Sequence, residues 1–345
     1  MSQLYSYSRI GCFSTCPAQY SHRYIQKTPS PLPEGVELFM GSRFHEAMEF
    51  LYESLPKRTP SLEELLTHFD QVWEAAWKTL LFKQKQRGFA TPIRISREGE
   101  TIGDYHERSR LFLERYYEKY KPFEQDQTVE RGIERKVLFS LDPQGLYRMQ
   151  GYIDRVARTP DGTLVVHDYK TGSHKHLPGD PEKEDQLALY QVGLSQDPLF
   201  QGADFRLMWH YVAFEDDIVE AHRTPDDLEG LKKTYIHKIK TIETAKEHPP
   251  KPSALCGWCE FMPLCQAGQE EVARRKRRKE GATVSQAPPV PSPVSLPPAP
   301  PSSEAAIETP APRIDPVAAP PTPEPSPRGR KKTAPPSKDQ LPLFG

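Results

Sequence analysis

The sequence predicts a mixed α/β (α+β) domain, not a doubly wound one, followed by a tail of different composition. Three observations carry this. A strand hairpin occupies Gly151 to Gly172. Amphipathic helical patterns lie before, between and after the strand patterns instead of alternating with them one to one. Of the 37 prolines, 19 lie after Gly281, so the first part of the chain has an ordinary globular composition.

Taken in order, Ser6 to Ile10 leads into a short helix with Ser8 as the expected N-cap. Ile10, Phe13 and Tyr20 should face the core, and Cys16-Pro17 closes the segment. After a connector at Pro29 to Pro33, Gly41 to Leu55 places Phe44, Ala47, Met48, Leu51 and Tyr52 at helical spacing, with His45 just off the stripe. Pattern alone would make that histidine structural or exposed. Pro60 to about Phe89 begins with Ser61 and Glu64, a capping box. Thr101 to Tyr120 is a second, aromatic-rich helix. These two, about 60–121, read as a helical insertion or cover without an obvious constellation of chemistry.

Thr128 to Leu141 alternates as a strand, with Val137, Phe139 and Leu141 on one face. The hairpin follows. Tyr152 to Val156 and Leu164 to Lys170 are rich in β-branched and aromatic residues. Between them Thr159-Pro160-Asp161-Gly162-Thr163 carries turn chemistry: proline presets φ, aspartate bonds its own backbone, and glycine takes the left-handed position. A loop of Pro160 to Gly162 pairs Thr159 with Thr163 and therefore Asp154 with Asp168. The period of two then puts Lys170 on the face of Asp168. Facing carboxylates destabilise a sheet, unless a divalent cation lies between them. A solvated strand face with a Lys–Asp pair is the plainer alternative, and a two-residue Asp-Gly loop would shift the register by one.

Pro181 to Leu194 is a helix on which Gln186 and Tyr190, four apart, share a face. Asp204 to Phe214 and Ile218 to Arg223 form another strand pair. Pro225 to His248 is an amphipathic helix with Leu228, Leu231, Tyr235, Ile239 and Ile242 on its apolar side.

The net charge of −1 argues neither for nor against nucleic acid, because local patches matter more than the sum. No apolar run approaches the roughly 18 residues of a membrane span, and the N-terminus lacks the pattern of a signal peptide. Five cysteines in such a chain argue against a disulfide framework and for a reducing, cytoplasmic compartment. Cys256, Cys259 and Cys265 fall within ten residues, C-x2-C-x5-C, which points to a metal. They need a fourth ligand for either zinc or an iron–sulfur cluster, and spacing does not choose between the two. Cys12 and Cys16 are the cysteines left.

Together these segments resemble the RecB-like branch of the PD-(D/E)XK nuclease superfamily, particularly its iron–sulfur members, the AddB-type recombination nucleases and the CRISPR adaptation nucleases. The resemblance runs from about residue 4 to 268. It rests on S-x-S-x-I-x-x-F-x-x-C-P (Ser6 to Pro17), G-x-x-x-H (Gly41 to His45), G-Y-I-D-R (Gly151 to Arg155), H-D-Y-K-T-G (His167 to Gly172), Q-L-x-x-Y (Gln186 to Tyr190) and the three-cysteine run. Ile153-Asp154 stands where the superfamily's name has proline-aspartate, a variation like that of the RecB branch.

The resemblance implies a restriction-endonuclease-like mixed sheet flanked by helices, in a nuclease domain spanning 1–270. It makes His45, Asp154, Asp168 and the Tyr169 carbonyl ligands of Mg²⁺ or Mn²⁺. Lys170 would polarise the attacking water or the phosphate, and Gln186 and Tyr190 would orient that lysine and contact the substrate backbone. Cys16, Cys256, Cys259 and Cys265 would hold a 4Fe–4S cluster that staples the two ends of the domain, leaving Cys12 spare. The implied activity is a deoxyribonuclease of repair or recombination, an exonuclease on single-stranded DNA ends, with a helicase as potential partner. No Walker-type phosphate loop occurs, so helicase activity is not expected in this chain. The competing hypothesis is a catalytically inactive, cluster-bearing DNA-binding protein recruited to the replication clamp. The joint presence of Asp154, Asp168 and Lys170 argues against it.

Beyond residue 270, Arg274 to Lys279 is a basic segment within 271–280, which either tracks a nucleic-acid backbone or is a solvated helix end. Residues 281–338 are a Pro-, Ala- and Ser-rich linker, expected to be disordered. The chain closes on Gln340-Leu341-Pro342-Leu343-Phe344-Gly345. This peptide resembles the one by which bacterial replication and repair proteins dock on the sliding clamp, with Gln340 in a polar pocket and Leu341, Leu343 and Phe344 supplying the apolar contact. A tether of about 58 residues spans on the order of 40 Å, which would hold the enzyme at high effective concentration near a clamp.

Overall fold

The computed structural model describes residues 3–285. In chain order these form β1 (Leu4–Tyr5), α1 (Tyr7–Thr15), α2 (Pro17–Tyr20), a π-helical turn (Ser21–Ile25), α3 (Val36–Ser54), α4 (Leu62–Gln86) and α5 (Ile102–Tyr120). Then follow β2 (Gln127–Ser140), β3 (Arg148–Arg158), β4 (Leu164–Lys170), α6 (Pro181–Ser195), β5 (Phe205–Tyr211), β6 (Asp217–Ala221) and α7 (Pro225–Thr244). Two 3₁₀ turns, Ala254–Trp258 and Met262–Leu264, lead into α8 (Gln266–Ser285). α8 thus continues past Gly281, and the rest of the expected linker, with Gln340, Leu341, Leu343 and Phe344, lies outside the described residues.

The six-stranded sheet is mixed, as the sequence predicts and consistent with a restriction-endonuclease-like fold. Its order is β1-β3-β4-β5-β6, with β2 pairing along β3. β1 runs parallel to β3, β3 antiparallel to β4, and β4 parallel to β5 through the α6 crossover. Two apolar clusters sandwich the sheet. One joins β2–β6 to α1, α6 and α7 through residues such as Ile10, Val137, Ile153, Leu187, Trp209 and Ile239. The other joins α3, α4 and α5 around Phe44, Leu51, Leu65, Phe69, Leu113 and Tyr116, with Tyr169 and Val212. The expected insertion is therefore a covering layer that buries one face of the sheet. Among the described residues no helix is long and apolar enough to cross a membrane.

Local chemistry sets most boundaries. Ser61 and Thr101 close capping boxes on α4 and α5. At α1 the cap differs from the expectation: Ser6, extended at φ −133, accepts from Arg9 N, and Ser8 lies inside the helix. An N-cap oxygen accepts from the backbone N–H two or three residues on, and Ser6 stands just before the first helical residue, Tyr7. α3 starts five residues ahead of Gly41, at Val36, because buried Val36, Phe39 and Met40 extend its apolar face. α7 stops at Thr244, before His248.

Candidate active site and cysteine cavity

The turn between β3 and β4 has the expected three-residue loop. Thr159 N donates to Thr163 O at 3.0 Å, Gly162 N to Thr159 O at 2.9 Å, and Gly162 sits at φ +94. The ladder continues Arg158–Leu164, Ala157–Val165, Val156–Val166 and Arg155–His167. One step on, where Asp154 faces Asp168, the strands part. Asp154 Oδ2 accepts the Tyr169 backbone N–H at 2.8 Å, and Asp168 Oδ2 instead lies 2.7 Å from Lys170 Nζ.

Lys170 also donates to Gln186 Oε1 at 3.1 Å, and Gln186 Nε2 donates to the Tyr190 hydroxyl at 3.3 Å. Helical spacing on α6 thus delivers two linked side chains to the lysine. Gly151 makes room for them: a Cβ there would fall 2.2 Å from Tyr190 Cε1. On the other side α3 approaches the end of β4 closely enough that a Cβ on Gly41 would meet Thr171 Oγ1 at 3.2 Å. One turn on, His45 Nε2 reaches the Tyr169 carbonyl at 3.0 Å and Nδ1 lies 3.5 Å from Asp154 Oδ2.

Sequence reasoning missed Glu134. Among the described residues, His45, Glu134 and Asp154 form the group whose donor atoms all lie within 4.8 Å of one another, as a metal ion requires. Glu134 Oε1 is 3.9 Å from His45 Nδ1. It arrives there through a bulge: residues 129–132 stand opposite Val156 alone before Ile133 pairs with Arg155, and Arg131 and Glu134 take φ of 53 and 43. Bulges re-aim side chains beside active sites, and Gly132 inside a strand pattern was the readable signal. Asp168 stays outside the three-residue group, drawn toward the Lys170 ammonium.

The electrostatics fit a cation. Burial and then the Asp168 charge hold the Asp154 carboxyl well above the usual range. Burial and Asp154 raise Glu134. Glu49, one turn beyond His45 and lining the same small cavity, is pushed up to about 7 by burial and by Glu134, Glu46 and Glu53. Burial works against the Lys170 charge, but Asp168 and Asp154 more than offset it and its pKa rises. Asp168 Oδ2 is buried without a well-directed hydrogen bond. Clustered carboxylates, an imidazole and a carbonyl form a donor set that a divalent ion would neutralise.

Behind the site lies a buried polar chain. Arg155 stacks 3.9 Å over the Tyr52 ring and donates to Tyr169 Oη at 3.1 Å and Asp126 Oδ1 at 2.6 Å; its Nη2 lies 2.9 Å from His167 Nε2, which is also 3.1 Å from Asp126 Oδ2. His167 Nδ1 meets His210 Nε2 at 3.0 Å, and His210 Nδ1 meets Asp216 Oδ1 at 3.1 Å. Burial and the Arg155 charge lower His167 to about 3, so it stays neutral. This network fixes the Tyr169 ring, and with it the strand that carries Asp168 and Lys170.

Cys16, Cys256, Cys259 and Cys265 line one cavity of about 40 Å³. Cys16 caps α1, and the others come from the two 3₁₀ turns, about 240 residues later. Lys251 N, Ser253 N and Gly268 N donate to the sulfurs of Cys16, Cys256 and Cys265 at 3.4, 3.3 and 3.3 Å. Cys12 is buried elsewhere, and burial pushes its thiol up to about 11. The Arg23–Glu260 pair at 2.6 Å ties the same two ends.

The chain belongs to the PD-(D/E)XK nuclease superfamily, whose sequence profile matches residues 5–266. No curated protein sequence matches it. Among solved structures it is similar to a candidate exonuclease from Eubacterium rectale, at 14% identity and a TM-score of 0.40, over 77% of this chain and 87% of that one. It is also similar to SSO0001, at 18% identity and a TM-score of 0.30, over 67% of this chain and 96% of that one.

Proposed function

We propose that this protein is a metal-dependent deoxyribonuclease of the RecB-like, iron–sulfur type, acting as an exonuclease on single-stranded DNA ends in repair or recombination. The observation that carries the reading is Lys170, kept charged by Asp168 and Asp154 and fixed by Gln186, beside a cluster of carboxylates around His45. Asp154, Asp168, His45, Glu134 and the Tyr169 carbonyl would hold Mg²⁺ or Mn²⁺. Such an ion supplies Lewis acidity and a more acidic water. Lys170 places its positive charge where negative charge grows on the phosphate. Gln186 and Tyr190 hold the ammonium in place, and the Tyr169 N–H holds Asp154.

The cysteine cavity suits a structural 4Fe–4S cluster. Four sulfurs line it, and three accept backbone N–H bonds that would stabilise thiolate charge. Tetrahedral zinc on the same four thiolates is the alternative, and metal analysis decides between the two. A cytoplasmic setting, a helicase that feeds the strand and a clamp bound through Gln340 to Phe344 complete the reading.

The test uses anaerobically purified protein on single- and double-stranded DNA labelled at either end, with Mg²⁺ and Mn²⁺ tested separately. Metal-dependent products from the intact chain and none from Asp168→Ala support the nuclease. DNA binding without cleavage by either protein would favour an inactive, cluster-bearing DNA-binding protein.

A further inference from the structure

The exposed face of β2 and β3 carries an aromatic and basic strip that begins at the candidate metal site and takes no part in the cleavage chemistry. Tyr152 is two residues before Asp154 on β3. Its direct partner on β2 is Lys136, whose Nζ lies 6.0 Å from the tyrosine ring centroid. The next pair, Leu138 and Gln150, continues the face. Tyr152 is 55% exposed and Leu138 53%, whereas Met149, Ile153, Val137 and Phe139 on the same strands are buried. Single exposed apolar side chains are ordinary. Here two lie diagonally adjacent, flank a lysine and lead to Asp154.

We propose that this strip is the platform for the nucleotide next to the scissile phosphate: its base stacks on Tyr152, with Leu138 alongside, and Lys136 holds its backbone phosphate. The inference rests on the nuclease reading above and deepens it, because only an unpaired base can offer a face to the ring. The occupant is a single strand of DNA. Tyr152 and Asp154 are about 6.6 Å apart along the strand, so one nucleotide can reach from ring to carboxylate. The lysine supplies the charge that a phosphate needs, and stacking on an aromatic ring tolerates any base.

Binding tests this without cleavage. An end-labelled single-stranded oligonucleotide is titrated with Asp168→Asn protein, and its affinity is read by fluorescence anisotropy. Adding Tyr152→Ala should weaken binding about tenfold, the range of one base stacked on an aromatic side chain. Tyr152→Phe should restore it, and Lys136→Ala should flatten the salt dependence. An abasic site moved stepwise from the end should cost affinity at one position with the Asp168→Asn protein and nothing further with Tyr152→Ala. In cleaving protein, Tyr152→Ala should raise KM with little change in kcat. Equal affinities for the Ala and Phe variants, no position sensitive to base removal, or no binding at all would overturn the platform. Loss of cleavage in the intact chain would overturn the nuclease reading instead, and the binding series would still decide the platform.

Discussion

The backbone N–H of Tyr169 donates to Asp154 Oδ2 at 2.8 Å, just past the last ladder pair of the β3–β4 hairpin. This bond takes over the role of the missing ladder step. It orients Asp154 toward His45 and leaves the Tyr169 carbonyl free for His45 Nε2. A register slip of one residue would send Asp154 to the opposite face, so the turn at Thr159 to Thr163 positions the acid as firmly as its neighbours do.

Glu134→Gln should raise the Mg²⁺ concentration needed for half-maximal cleavage by on the order of tenfold or more, with a smaller effect at saturating metal. The substitution keeps the size of the side chain but removes one negative charge from the group that includes His45 and Asp154. Metal titrations of initial rate would measure this. An unchanged midpoint would mean that the bulged strand carries Glu134 there without using it.

Asp126 predicts how stability responds to acid. Burial opposes its charge, but bonds from His167 and Arg155 and the Arg155 charge win, and its pKa falls far below the ordinary carboxylate value. A carboxylate depressed on folding contributes stability above its unfolded pKa, near 3.9, and loses it as pH falls through the folded value. Asp126→Asn should therefore cost about 3 kcal/mol at neutral pH by leaving Arg155 without its carboxylate. The gap to the parent should close as pH drops below about 4. Denaturant melts across pH would show the two curves converging; parallel curves would sink the idea.

On the proposed cluster, Cys16→Ser should abolish bound iron and lower the thermal midpoint, while Cys12→Ser should leave iron near about four per chain. The contrast follows from geometry, since Cys16 lines the cavity with the three later cysteines and Cys12 packs into the apolar core. Iron analysis and the brown colour of the purified variants would report it. Zinc in place of iron would replace the cluster while keeping the staple.

The hairpin, its loop length and the pairing of Gln186 with Tyr190 were legible because each follows from a short-range rule. A period of two fixes the acids, a period near four fixes the α6 pair, and turn residues fix the register. The pattern does not separate Ser8 from Ser6, because two serines flank one tyrosine and only the backbone decides between them. Glu134 was hidden by a bulge that breaks the period of two. Arg155, His167 and His210 read as ordinary polar residues of strands, and their burial depends on α3 and α5 covering that face from far away in sequence. Asp168 lies near enough to Asp154 for its charge to raise that carboxyl, while its own Oδ2 is paired with the lysine two residues on.

Gly151→Ala tests whether Tyr190 is a wedge under Lys170, the proposed catalytic lysine. The added methyl would fall 2.2 Å from Cε1 of the Tyr190 ring and 3.1 Å from its hydroxyl, so the ring must move. That hydroxyl anchors Gln186, and Gln186 anchors Lys170. Overpacking of this kind costs about 1–3 kcal/mol, and a displaced lysine should lower kcat about tenfold by misplacing its charge. Tyr190→Ala removes the obstacle, so Gly151→Ala combined with Tyr190→Ala should be less destabilised than the sum of the two single variants. Activity should not recover, because Gln186 has then lost its anchor. If stability and kcat instead return together in the double variant, steric strain alone explains the glycine, and Tyr190 has no part in holding the lysine.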